Sequence, residues 1–141
     1  MKHMKRSIFT LLILLIPAMS FAGAWIADAA LDALLSHVET NSVRLHIVSD
    51  STTPTDVTNT LGNVTIDGDD MALADDTSGR KLTITAQNIT ASGTGTARHW
   101  VLCNAAGDTL YAVGTATSKS LTETYVYEFA AADLISVGDA E

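Results

Sequence analysis

The chain has 141 residues, 47% of them hydrophobic and 17% charged, which leaves room for one domain around one core and argues against disorder over most of its length. Formal charge is −8; with Lys2, Lys5 and Arg6 set aside, the remaining 5 basic residues face 16 acidic ones, for −11. Such a surface repels phosphate backbones, and direct nucleic-acid binding is not expected.

Residues 1–22 have the layout of a secretory leader: a basic start, an apolar stretch from Ile8 to Ile16, Pro17, and small residues around Ser20-Phe21-Ala22. The alternative is a hydrophobic N-terminal extension ahead of a start at Met19. The apolar stretch is too short for an ordinary membrane span, so a membrane is expected as a partner only if that segment is retained. Residues 23–141 then form a single β-rich domain with one helix over 25–40.

That helix is predicted by period. Ala27, Leu31, Leu34, Leu35 and Val38 fall on one stripe, and Asp28, Asp32, Ser36 and Glu39 on another. Two roles are open to the apolar stripe: covering a sheet, or docking onto a neighbouring subunit.

After Asn41 the period changes to two, and Val43 to Val48 reads as the first strand, with Val43, Leu45 and Ile47 on one face and His46 on the other. Residues 49–63 hold turn formers and Pro54, and read as an exposed loop. Further strands are expected at Val64 to Ile66, Lys81 to Ile89, Ala97 to Asn104, Leu110 to Ala116, Leu121 to Phe129 and Leu134 to Val137. Turns are expected at Asp67 to Asp70, Asp75 to Gly79, Ser92 to Gly95, Ala106 to Asp108 and Thr117 to Ser120. Short strands without alternating helices indicate a mainly β fold, an antiparallel β-sandwich or small barrel of jelly-roll or immunoglobulin-like type, with one N-terminal amphipathic helix.

Chemistry-bearing patterns are sparse. No Gly-x-Ser-x-Gly elbow, Walker lysine or Gly-x-Gly-x-x-Gly helix entry occurs, so neither catalytic nor cofactor-binding residues are assigned and no enzyme is expected. Asp67, Asp69, Asp70, Asp75 and Asp76 lack the order of a calcium loop, and His37, His46 and His99 lack zinc spacing, so no metal is expected. Cys103, the single cysteine, reads as a small buried hydrophobe. Tyr125, Tyr127 and Phe129 alternate along one segment, which suits either a core or a row of rings for stacking on sugars.

The segment Asp75-Asp-Thr-Ser-Gly-Arg-Lys-Leu-Thr-Ile84, followed by Thr94-Gly-Thr-Ala-Arg-His-Trp-Val-Leu-Cys103, resembles a group of small virion proteins of tailed bacteriophages. The Met19-Ser-Phe-Ala opening, the strand at Arg44 to Val48 and the Pro54-Thr55 loop are similar to that group as well. The resemblance implies a non-enzymatic structural protein on the virion. Its first implied role is head decoration or cement, bridging major capsid subunits, with the major capsid protein and copies of itself as partners and the capsid surface as location. A tail- or fibre-associated role is the second. Residues then expected at a partner interface are Leu31, Leu34, Leu35 and Val38 of the helix, Arg44, Arg80 and Arg98 among the scarce cations, and Tyr125 and Tyr127. Taking the leader literally gives a rival, a periplasmic or secreted β-sandwich module for adhesion or carbohydrate binding through Trp100, Tyr125 and Tyr127.

Overall fold

The computed structural model describes residues 28–77 and 79–137. The leader-like segment and the expected first turn of the helix at 25–27 lie outside these residues. Among the described residues one helix, α1 (Asp28–Asn41), precedes nine strands: β1 (Arg44–Val48), β2 (Thr60–Thr65), β3 (Met71–Asp75), β4 (Arg80–Ile84), β5 (Gln87–Thr90), β6 (Gly95–Cys103), β7 (Leu110–Leu121), β8 (Val126–Phe129) and β9 (Ala132–Val137). The fold is mainly β, with antiparallel sheets and a helix on the N-terminal side, consistent with a sandwich or small barrel, as the sequence leads one to expect.

Helix α1 forms because Leu31, Leu35 and Val38 recur on one face and sink into the core. Asp28 in the first turn meets the positive end of the helix dipole. The helix stops where the Asn41 amide donates to the His37 carbonyl at 2.7 Å and Ser42 N–H donates to the Val38 carbonyl at 2.8 Å, satisfying carbonyls of the last turn.

Strands β2, β1, β6 and β7 lie in that order in one sheet, β3, β4 and β9 in a second, and β5 with β8 in a third. Strand β4 pairs with β9 and β5 with β8, so the last two sheets are two ends of one ribbon bent at residues 85–86 and 130–131. A bridge from Gly62 to Ala91 ties this ribbon to β2. The approach leaves no room for a side chain, because a Cβ at Gly62 would stand 2.7 Å from the Thr90 carbonyl oxygen.

Between the sheets lies the core: Leu45 and Ile47 from β1, Trp100 and Leu102 from β6, Leu82 and Ile84 from β4, Ile89, Tyr127 and Phe129 from the ribbon, and Leu35 and Val38 from α1. Full burial of each large apolar side chain stabilises the fold by about 1.5–3 kcal/mol. Helix α1 packs on β3, β4 and the flank of β7. Its contact is fixed by Arg80, whose Nε lies 2.6 Å from Asp32 Oδ1 while its Nη1 holds Asp75.

Several elements differ from expectation. Strand β7 runs on through Thr117 to Ser120, where a turn was expected, because between the pairs Ala97–Lys119 and His99–Thr115 one residue of β6 (Arg98) lies opposite three of β7 (Ala116 to Ser118), and the bulge absorbs the polar run. Strand β3 was not foreseen; its Met-Ala-Leu-Ala-Asp sequence has no β-branched residue, and pairing with β4 decides its state. The expected strand from Lys81 to Ile89 is divided at the ribbon's corner, and the loop after β1 ends at Asn59 rather than 63.

Candidate functional site

The expected interface residues do not share one environment. Leu31, Leu35 and Val38 are buried against the sheet, whereas Leu34 is 56% exposed on the outer side of α1. The apolar stripe read from the sequence is therefore two faces. The wider one covers the sheet, and Leu34 faces outward.

The three arginines also separate. Arg44 donates from Nη1 to Asn63 Oδ1 at 3.2 Å across the β1–β2 pair. Arg80 is engaged by Asp32 and Asp75, with only 17% of its side chain exposed, and so fastens the helix. Arg98 is exposed and forms no ion pair among the described residues.

Tyr125 and Tyr127 part company as well. Tyr127 is buried, and its hydroxyl donates to the Thr117 carbonyl at 2.9 Å. Tyr125 lies before β8 and is 41% exposed beside Val126 at 45%. The Lys119 ammonium sits 4.7 Å from the centre of the Tyr125 ring, a cation–π contact. Contact with Tyr125, ahead of the field of Glu128, raises the Lys119 ammonium above its ordinary value. Thr124 precedes them with φ of 73°, a left-handed conformation rare for a β-branched residue. It is locked by hydrogen bonds from Thr124 N–H to the Ala91 carbonyl and from Ala91 N–H to the Tyr125 carbonyl. This turn, which sequence reading placed inside a strand, displays two of the three exposed large apolar side chains among the described residues.

Trp100, Tyr125 and Tyr127 do not form a row of rings at the surface. Trp100 and Tyr127 are buried, with Trp100 lying over Gly114 and edge-on to Phe129 at 6.4 Å. Tyr125 alone of the three presents a face.

The acidic turns satisfy themselves. Asp67 Oδ1 accepts from Asp69 N–H, Asp70 Oδ2 from Asp67 N–H and Asp70 Oδ1 from the Gln87 amide, while Asp75 holds Arg80. Among the described residues no three His, Cys, Asp or Glu side chains converge as metal ligands, and no helix is long and apolar enough to cross a membrane. Cys103 is fully buried, and burial pushes its thiol above its ordinary value, which suppresses the thiolate and its nucleophilicity. His37 stands edge-on to Tyr111 at 6.0 Å, and His99 contacts the Asp50 carbonyl through Nδ1 at 3.0 Å.

Of the expected interface residues, those exposed and free of the core are Leu34 on the helix, Arg98 on β6 and Tyr125, which lies with Lys119 and Val126 around the β7–β8 turn. No family model, curated protein or solved structure matches the chain.

Proposed function

We propose that this chain is a non-enzymatic structural protein of a tailed-bacteriophage virion, acting as a head decoration or cement protein that bridges major capsid subunits. The observation that carries the reading is the pair of phage-like motifs and the position each takes. Asp75 to Ile84 is the end of β3, the turn and β4, with Arg80 fastening the helix, and Thr94 to Cys103 is β6 at the centre of the main sheet. Residues at such positions form a framework, which is what a protein working through its surface needs.

On this reading Leu34 and the Lys119–Tyr125–Val126 turn contact the capsid or a sister copy, and Arg98 meets an acidic loop of the partner. Each contact is weak, and many copies on one shell add up through multivalency. The bridged subunits then resist expansion and internal pressure because additional contacts must break first.

The test is reconstitution on particles. Purified protein added to virions or expanded capsids stripped of decoration should bind at saturable stoichiometry and raise the temperature at which the shell releases DNA. Sedimentation with isolated tails instead of heads would move the protein to the tail. Absence from purified particles would end the virion reading.

A further inference from the structure

The four-stranded sheet has two faces, and only one belongs to the main core. Leu45 and Ile47, with Leu102 and Trp100 opposite them, face that core. Arg44, His46 and Val48 point the other way, beside Cys103, Val101 and His99 of β6. An outward face of this kind would ordinarily be wet, yet Val48, Val101 and Cys103 are fully buried and His46 is 6% exposed.

The cover is the β1–β2 connection, residues 49–59. Its ends are pinned together by Ser49 N–H donating to the Asn59 carbonyl and by Asn59 Nδ2 donating to Asp50 Oδ1. Pro54 is buried within it, His99 contacts the Asp50 carbonyl, and Val57 Cγ2 would stand 3.0 Å from a Cβ at Gly107. A compact loop with joined ends can lift as a unit.

Beneath it, His46 makes one hydrogen bond, Nδ1 with Thr60 Oγ1 at 2.8 Å, and its Nε2 is buried without a partner. A neutral ring leaves a lone pair unused there. A protonated ring would place a charge and an unmatched N–H in an apolar compartment.

We propose that the 49–59 loop is a flap released by acid, with His46 as its trigger, so that mildly low pH uncovers the β1–β6 face. Among groups around the ring, Arg44 on the same strand repels a second positive charge. Thr60 and Asn63 of β2 are neutral, and on β6 Cys103 is a protonated thiol while His99 is a further base. Of the loop's carboxylates, Asp56 accepts from Thr58 N–H and Asp50 Oδ1 accepts from the Asn59 amide, while Asp50 Oδ2 is buried without a hydrogen-bond partner; Asp108 of the β6–β7 turn is held by Asn104. Burial, then Arg44, keeps His46 below its ordinary value near 6.5. A depressed histidine leaves the covered state fully stable above the ordinary value, and that stability declines as pH falls below it toward the folded value.

The proposal is independent of the virion reading, and the purified chain tests it. Cys103 reports the opening, because its thiol lies on the covered face. Labelling by 4,4′-dithiodipyridine, corrected for the intrinsic pH dependence of a free thiol, should accelerate between pH 7 and 5.5 by up to about tenfold per unit. Over the same range the amides of Leu45 and Leu102 stay protected from exchange. His46→Gln should flatten the response and His99→Gln should leave it intact. Should the His46 variant fail to fold, the wild-type imidazole is followed by NMR, where its titration below 6.5 in step with labelling is expected. Labelling that does not change with pH, His46 titrating at or above 6.5, or core amides opening together with the loop would each overturn the proposal.

Discussion

Arg80 connects three elements through one guanidinium: it sits on β4, reaches Asp32 on α1 and holds Asp75 at the end of β3. Its planar fork suits two carboxylates at once, which a lysine cannot reproduce. Arg80→Met should therefore lower the melting temperature more than Lys81→Met, since Lys81 makes a single 3.0 Å bridge to Asp133. Thermal unfolding by circular dichroism checks this, and Arg80→Met combined with Asp32→Asn should fall short of the sum of the two. Gly114, like Gly62, has its identity forced, because a Cβ there would overlap the Trp100 ring. Gly114→Ala should cost about 1–3 kcal/mol through overpacking and shift Trp emission, both measurable in urea titrations. Neither role could be read from the sequence. The pairing of Arg80 with Asp32 spans 48 residues, and a glycine under a ring looks like any other glycine until β6 and β7 are in register.

At the scale of elements, period carried most of the information. Strands β1, β6 and β8 alternate or run apolar and were legible, as was α1 from its heptad-like spacing. The register of β7 against β6 was not, because a bulge lets a strand pass through Thr117, Ser118, Lys119 and Ser120, residues that favour turns in isolation. Corners such as residues 85–86 have no sequence signal comparable to a proline or glycine. The residues expected at an interface divide for the same reason. A stripe wide enough to include Leu34 with Leu31, Leu35 and Val38 divides once the helix meets a sheet, and alternation at Tyr125, Tyr127 and Phe129 is broken by a turn that begins β8 only at Val126. That turn is held with Thr124 in a conformation where a left-handed L-residue costs about 1–2 kcal/mol. Thr124→Gly should relieve part of this and raise stability by up to about 1 kcal/mol, offset by the greater freedom of glycine in the unfolded chain. Equilibrium unfolding gives the sign, and a loss of stability would mean that the threonine side chain contributes more than its backbone conformation costs.

For the molecule as a whole, charge and topology set behaviour. The excess of carboxylates predicts that duplex DNA will not be retarded by the protein in gels even at low salt, where any electrostatic attraction would be greatest. Outer strands set the manner of self-association. In the four-stranded sheet, the Thr60–Gly62 part of β2 is occupied by Ala91, which bridges Gly62, and by Ser92 and Gly93, whose N–H groups donate to the Leu61 carbonyl. What is left of that margin is the short stretch at residues 63–65, whereas β7 runs for 12 residues and, among the described residues, pairs as a strand only with β6. A polymer built by adding strands side by side needs two usable margins on every subunit. Through this sheet each molecule has one, so growth by that route stops at a symmetric pair and does not continue into a fibre.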